Sequence, residues 1–324
     1  CRRNMVDDSI NIRGLKRVAA DFAGEVDPPQ CAPSTGKKIA ILGGGPGGLS
    51  AAYYLQLMGH QTTVFEMLPK LGGMLRYGIP NYRLPKDRLD EDIQAILETG
   101  VQVEFGKRIG KDITIQSLRQ EYDAVLISIG ASTDKKLGIE GEHAEGVISA
   151  VSFLRDVGEN KSPDLTGQEV AVIGGGNVSM DAVRTAKRLG AKKVSIVYRR
   201  RTADMTALPA EIEGAVAEGI EVLTLKAPSR IETDENGHVS GIYVTPQMIS
   251  KIKDGRASVC PTGEEDFLIH CQTLIVAIGQ DIESEHFAEA GVPVSRGKIM
   301  TERYGGFDNI PGVFAGGDCA SGPA

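Results

Sequence analysis

Hydrophobic and polar positions along the chain fall into one pattern written twice. In "KIAILGGGPGGLSAAYYLQLMGHQTTVFE", Lys38 to Glu66, a β-branched apolar run meets glycines. Leu49, Ala52, Tyr53 and Leu57 then recur at helical spacing, and "TTVFE" alternates, which predicts strand, tight turn, helix and strand, a βαβ unit. "VAVIGGGNVSMDAVRTAKRLGAKKVSIVYRR", Val170 to Arg200, repeats the pattern 131 residues on, with Gly174, Gly176 and Ser179 in the places of Gly43, Gly45 and Gly48. Gly59 and Gly190 close the two helices at the same offset, and after one inserted residue Tyr198 stands where Glu66 stands. A second pair of apolar runs, "AVLISIGAS" (Ala124 to Ser132) and "TLIVAIGQD" (Thr273 to Asp281), also echo each other.

A glycine-rich corner between strand and helix is dinucleotide-binding chemistry. Gly43 permits the turn, Gly45 lets a pyrophosphate approach the backbone, and Gly48 lets helix and strand pack closely. Pro46 and Gly47 open the helix, whose free N–H groups face the phosphates. Glu66, ending the second strand, is placed to accept hydrogen bonds from a ribose 2′-OH. Ser179 departs from the third glycine, at a position that sets helix packing. A carboxylate at the end of the second strand would repel a 2′-phosphate, whereas Arg199 and Arg200 can bind one with charge-assisted hydrogen bonds, and Tyr198 can stack near the adenine. The bland reading makes the first corner a Gly-rich turn and Arg199 to Arg201 a solvated charge run. The functional reading puts FAD at the first site and NADPH at the second.

Composition narrows the setting. The 324 residues suit two domains. With 41% hydrophobic and 24% charged residues, 40 glycines and no apolar run near the roughly 18 residues of a membrane span, the chain reads as soluble and globular. A net charge of −7 argues against nucleic acid or an anionic membrane surface as partner. Five scattered cysteines, without a C-x-x-C or C-x-x-x-x-C pair, suggest a reducing, cytoplasmic compartment and argue against a disulfide reductase. A flavin monooxygenase is disfavoured too, because its linking motif is not seen. Self-association is left open.

"GGMLRYGIPNYRLPKD" (Gly72 to Asp87), "VYRRRTADMTALPAE" (Val197 to Glu211) and the final "GVFAGGDCASGPA" resemble the small, or β, subunit of NADPH-dependent glutamate synthase over nearly the whole chain. The same flavoprotein unit occurs in dihydropyrimidine dehydrogenase and in ferredoxin-NADP reductases of electron-bifurcating bacteria, with adrenodoxin reductase more distant. The resemblance implies an α/β fold of two Rossmann-like, three-layer domains, with an NADPH domain (151–284) inserted into a discontinuous FAD domain (34–150 and 285–324). Thr273 to Asp281 would cross back to the flavin domain. Gly73, Met74 and Leu75 would line the flavin, Met67, Gly130 and the backbone near Ile109 would meet the adenosine end of FAD, and Gly317 with Asp318 would hold the ribityl chain. Asn177, Val178 and Ser179 would lie against the NADPH pyrophosphate, and Gly279 near the nicotinamide.

Members of that family begin with a cysteine-rich segment holding iron-sulfur clusters, of which residues 1–33 would be a remnant with a basic linker. Cys1 is alone until Cys31, so no cluster is expected in this chain. The resemblance also implies a C-terminal helix beyond the "GD" motif, and hence an excised piece of a longer protein. The implied activity is hydride transfer from NADPH to flavin and onward electron transfer to an iron-sulfur acceptor, the glutamate synthase large subunit or another. The protein's part is positioning, so no catalytic residue is named. None of the five histidines lies in a recognisable motif. The competing reading is an electron-relay or docking module, inactive without its partner.

Overall fold

The structure, a computed structural model, describes residues 2–24, 29–253 and 256–322. After the exposed helix α1 (Ile12–Asp21), the first βαβ unit comprises β1 (Lys38–Leu42), α2 (Pro46–Leu57) and β2 (Gln61–Glu66). α3 (Met74–Tyr77), α4 (Lys86–Leu97), β3 (Gln102–Phe105), α5 (Ile115–Glu121) and β4 (Ala124–Ile127) extend it, and the short β5 (Thr133–Asp134) leads out. The second unit contains β6 (Val147–Ser149), α6 (Ala150–Gly158), β7 (Glu169–Ile173), α7 (Asn177–Arg188), β8 (Lys193–Tyr198), α8 (Pro209–Ala217) and β9 (Glu221–Thr224). It continues through β10 (Lys226–Thr233), β11 (Val239–Lys253), β12 (Arg256–Pro261), β13 (Phe267–His270) and β14 (Thr273–Val276). The chain returns by β15 (Gln280–Asp281), α9 (Glu285–Glu289), the hairpin of β16 (Val294–Ser295) and β17 (Lys298–Ile299), β18 (Val313–Ala315) and α10 (Asp318–Ser321).

The two parallel sheets follow one plan. Their orders are β18-β4-β1-β2-β3 and β6-β14-β7-β8-β9, so each glycine corner leaves the middle strand of five. Because β18 pairs with β4, the second unit is inserted into the first. The crossing is made by β5 and β15, which pair antiparallel with Asp134 opposite Gln280 and Thr133 opposite Asp281. Two details differ from expectation. Val147–Ser149 pairs with β14, so the second unit begins before residue 150. Within Thr273 to Asp281 the stretch divides: β14 stays in the second sheet, and β15 at its end makes the crossing.

Both sheets are buried on both faces, as continuous apolar strands require. In the first unit, Ile41 and Val64 pack with Leu49 and Ile93 from α2 and α4, while Leu42 and Ile127 meet Leu118 and Phe287 from α5 and α9. In the second, Met180, Phe153 and Ala215 bring α7, α6 and α8 onto one face. The other face carries strands instead of helices: Ile242 and Val244 of β11 pack against Ala171 and Leu274. The local signal for that layer is "DENGH", where Gly237 takes φ +84° and the Asp234 carboxylate accepts the N–H groups of Asn236 and His238 at 2.9 Å each. Among the described residues no helix is long and apolar enough to cross a membrane.

Candidate dinucleotide sites

The two corners are built alike. Gly43 has φ +107° and Gly174 φ +142°, and a Cβ there would stand 2.4 Å from the Ser128 carbonyl oxygen or 2.2 Å from that of Ala277. Each corner is thus pressed against the chain just beyond the neighbouring strand, β4 or β14, and tolerates only glycine. The third positions differ. A Cβ on Gly48 would stand 1.9 Å from the Gly43 oxygen. Ser179 has room for its side chain, and its Oγ donates to the Ala277 oxygen at 3.4 Å. Ser179 is fully buried and its N–H donates to Gly176, so its side chain braces the corner from behind.

Around the first corner, Glu66, Met67, Ile109 and Gly130 line one narrow cavity of about 80 Å³, together with Arg108 and His286. Glu66 is only 6% exposed; Oε2 accepts the Gly44 N–H and Oε1 that of Leu68, each at 2.7 Å. Burial pushes its carboxyl above the usual range, and these hydrogen bonds oppose that shift. Each oxygen keeps acceptor capacity for a ribose hydroxyl. Gly73 closes on Gly45, so that a Cβ on Gly73 would lie 2.7 Å from the Gly45 Cα, and Gly47 lies beside Gly317 and Ser128. Bare backbone therefore surrounds the start of the 12-residue α2, with Pro46 at its first turn, and this suits the pyrophosphate of FAD. Half-buried Met74 opens α3 and half-buried Asp318 opens α10 beside the same glycines, whereas Leu75 packs into the apolar cluster of Ile41 and Leu49.

The second corner opens on a cavity of about 630 Å³. Gly174, Gly176, Asn177 and Val178 line one side, Tyr198, Arg199 and Arg200 another, and Gly279 a third. Asn177 Oδ1 accepts the Leu208 N–H at 3.0 Å and so fixes the entry to α8. The Tyr198 hydroxyl donates to the Asp204 carbonyl at 2.8 Å, holding the ring at the wall. The arginine run divides. Arg199 is exposed, and half-buried Arg200 spends its Nε on the Ala257 oxygen at 3.0 Å. Arg201 instead pairs with Asp204 at 2.8 Å, and that carboxylate also accepts the Ala257 N–H at 3.0 Å. Arg201, first, and this N–H hold Asp204 far below the usual carboxylate range. Two arginines face the cavity and the third is structural. Thr206, also in the lining, carries no sequence signal.

Cys31, Cys260, Cys271 and Cys319 are all unpaired, and burial pushes the Cys271 thiol up to about 12 and that of Cys319 upward as well. Cys1 lies outside the described residues. Among the described residues no group of three or more His, Cys, Asp or Glu is arranged to hold a metal ion.

Comparison with known proteins agrees with this geometry. Residues 37–324 match the family model described as pyridine nucleotide-disulphide oxidoreductase. The chain is 39% identical to the NADP(+)-dependent formate dehydrogenase subunit beta of Moorella thermoacetica, covering 99% of this chain and 49% of that protein. It is 37% identical to the NADPH-Fe(3+) oxidoreductase subunit beta of Geobacter sulfurreducens, covering 100% and 52%. It is 32% identical to the glutamate synthase [NADPH] small chain of Escherichia coli, covering 99% and 72%. The chain thus spans about half the length of the first two relatives. Among solved structures, FprA from Mycobacterium tuberculosis matches with a TM-score of 0.76 at 22% identity, over 90% of this chain and 80% of that one, a likeness of fold. The two corners, the crossed insertion and these matches together establish that the chain belongs to the pyridine nucleotide-disulphide oxidoreductase family.

Proposed function

We propose that the chain takes reducing equivalents from NADPH onto an FAD held in its first unit and passes them to an iron-sulfur acceptor on a partner, as a flavoprotein of the glutamate synthase small-chain type. The observation that carries this reading is the contrast between two like corners: a buried carboxylate ends β2, and two arginines follow β8 at the cavity wall. When bound, FAD supplies the conversion of a two-electron donation into one-electron steps. Glu66 holds a free ribose, the start of α2 holds a pyrophosphate, and Arg199 with Arg200 select a 2′-phosphate on the donor. No side chain needs to exchange a proton with the substrate. The unpaired, buried Cys271 and Cys319 are unsuited to dithiol exchange, although relatives of the fold include disulfide reductases. The relatives named as beta subunits favour a partner-bound acceptor, and they do not single out the glutamate synthase large subunit.

The test is steady-state oxidation of NADPH by FAD-reconstituted protein with an artificial dye as acceptor. Turnover with NADPH well above that with NADH is expected, with about one flavin per chain. Protein that binds both nucleotides and yet turns over no dye would be a relay module and not a reductase.

A further inference from the structure

Outside the two sites described, the most connected group of charges among the described residues bridges the two units. Tyr82 and Arg83 lie in the first unit, on the loop between α3 and α4. Arg83 Nη1 donates to both carboxylate oxygens of Asp181 at 2.8 Å each, and its Nη2 lies 3.1 Å from Glu211. Asp181 stands on α7 and Glu211 on α8, both in the second unit. The Asp181 side chain is 5% exposed and that of Arg83 25%, so this is a partly desolvated pair in which one guanidinium nitrogen reaches both carboxylate oxygens, unlike the exposed pairs that contribute little. Its receptor is itself braced: Arg184 bridges Glu211 and Glu218 at 2.9 and 2.8 Å, and the Arg188 guanidinium lies 3.9 Å from the Tyr82 ring centroid.

The position matters as much as the pairing. Asp181 follows Asn177 by one helical turn, so the pair grips the helix whose start lines the NADPH cavity. The chain crosses between the units twice, and the two crossings pair with each other only through the hydrogen-bonded β5 and β15, a slender joint. α3 of the first unit also packs on α6 of the second, and the ion pairs on α7 and α8 add a further, charged point of attachment that limits rotation between the units.

Resting on the function proposed above, we infer that Arg83 is a positioning residue for the reaction: by gripping Asp181 and Glu211 it fixes how the nicotinamide-binding unit faces the flavin-binding unit. Hydride transfer depends steeply on the approach of donor and acceptor, and a misplacement of about 1 Å can cost on the order of 100-fold. Arg83 touches neither nucleotide-binding corner, so its loss affects the encounter and not the binding.

The experiment uses the full chain loaded with FAD, as wild type, Arg83→Ala, Arg83→Lys and Asp181→Asn. In rapid mixing with saturating NADPH, the limiting rate of flavin reduction should fall by about 10- to 100-fold in Arg83→Ala, while the Kd for NADPH moves by less than about threefold. Arg83→Lys should recover part of the rate, and Asp181→Asn should reproduce the loss. A second readout is independent of turnover. Spin labels on Cys31 and on Glu235→Cys, in a Cys1→Ser/Cys260→Ser background, report the distance between the units. That distribution should be narrow in the wild type and broad in Arg83→Ala. An unchanged limiting rate, an unchanged distribution, or a rate loss matched by an equal loss of NADPH affinity would overturn the inference. If Arg83→Ala does not fold, Asp181→Asn and Arg83→Lys decide it by the same criteria. Wild-type protein that NADPH does not reduce would refute the proposed function, and the label distances would still decide whether Arg83 sets the interdomain geometry.

Discussion

In the function proposed above, Arg199 and Arg200, which line the second cavity, carry the choice of nucleotide, and Arg201, paired with Asp204, does not. Each charge-assisted hydrogen bond contributes about 1.5–3 kcal/mol. Arg199→Ala with Arg200→Ala should therefore weaken NADPH by a few kcal/mol, about 3, and leave NADH nearly unchanged, because NADH offers those side chains no phosphate. Titration of both nucleotides at fixed ionic strength measures this, since the lost attraction is screened by salt. Equal weakening of the two would reduce the arginines to a charged strand end. Arg201→Ala is the control: it removes the partner of Asp204, whose side chain is 1% exposed, and should lower stability without changing the preference.

At the scale of elements, α3 is tied to α4 by the Arg76–Asp90 ion pair and by one amino group. Lys86 Nζ, in the first turn of α4, donates to the carbonyl oxygens of Leu75 at 2.9 Å and Ile79 at 2.6 Å. Burial, with Arg76 adding to it, pushes its pKa down from 10.5 to about 8. A neutral amine still has two N–H groups for two carbonyls. The folded-state value is depressed, so between about pH 8 and 10.5 the unfolded chain holds more protons and stability rises with pH; it is lost as pH falls through about 8. Urea unfolding across this range should show the stability of wild type relative to Lys86→Met growing from pH 7.5 to about pH 10. A pH-independent difference would mean that Lys86 titrates as an ordinary surface lysine.

The βαβ elements were legible because periodicity and glycine spacing are local properties, and the same glycines mark both corners. The expectations for Glu66, Met67, Ile109 and Gly130 meet in one cavity for a related reason: parallel strands place their C-terminal ends together. Much of what stayed hidden depends on distance along the chain: Arg83 finds Asp181 across 98 residues. The Arg201–Asp204 pair is local, three residues apart, but the Ala257 N–H that completes it comes from 53 residues on. The Ser179 hydroxyl turns inward to Ala277, also 98 residues away, which no spacing rule discloses.

For the whole molecule, separate units imply separable ligands. Glu66 and the arginines of β8 belong to different sheets, so Glu66→Ala should weaken FAD while leaving NADPH affinity within about twofold, read by flavin retention and nucleotide titration on one preparation. Equal losses of both ligands would mean that one fold supports both sites jointly.

The side-by-side pairing of β5 and β15 reaches beyond a single enzyme. Because Asp134 stands opposite Gln280, everything between them leaves and re-enters the host through adjacent doorways. Such an insertion costs the host almost nothing in loop closure, whatever its length. A donor-binding cassette of this kind is portable wherever the incoming unit keeps acidic partners for Arg83: recombination at two short, neighbouring stretches then exchanges one reductant for another and leaves the flavin cradle untouched. Lineages built this way can change their source of electrons by transplant, with no need to redesign a pocket residue by residue.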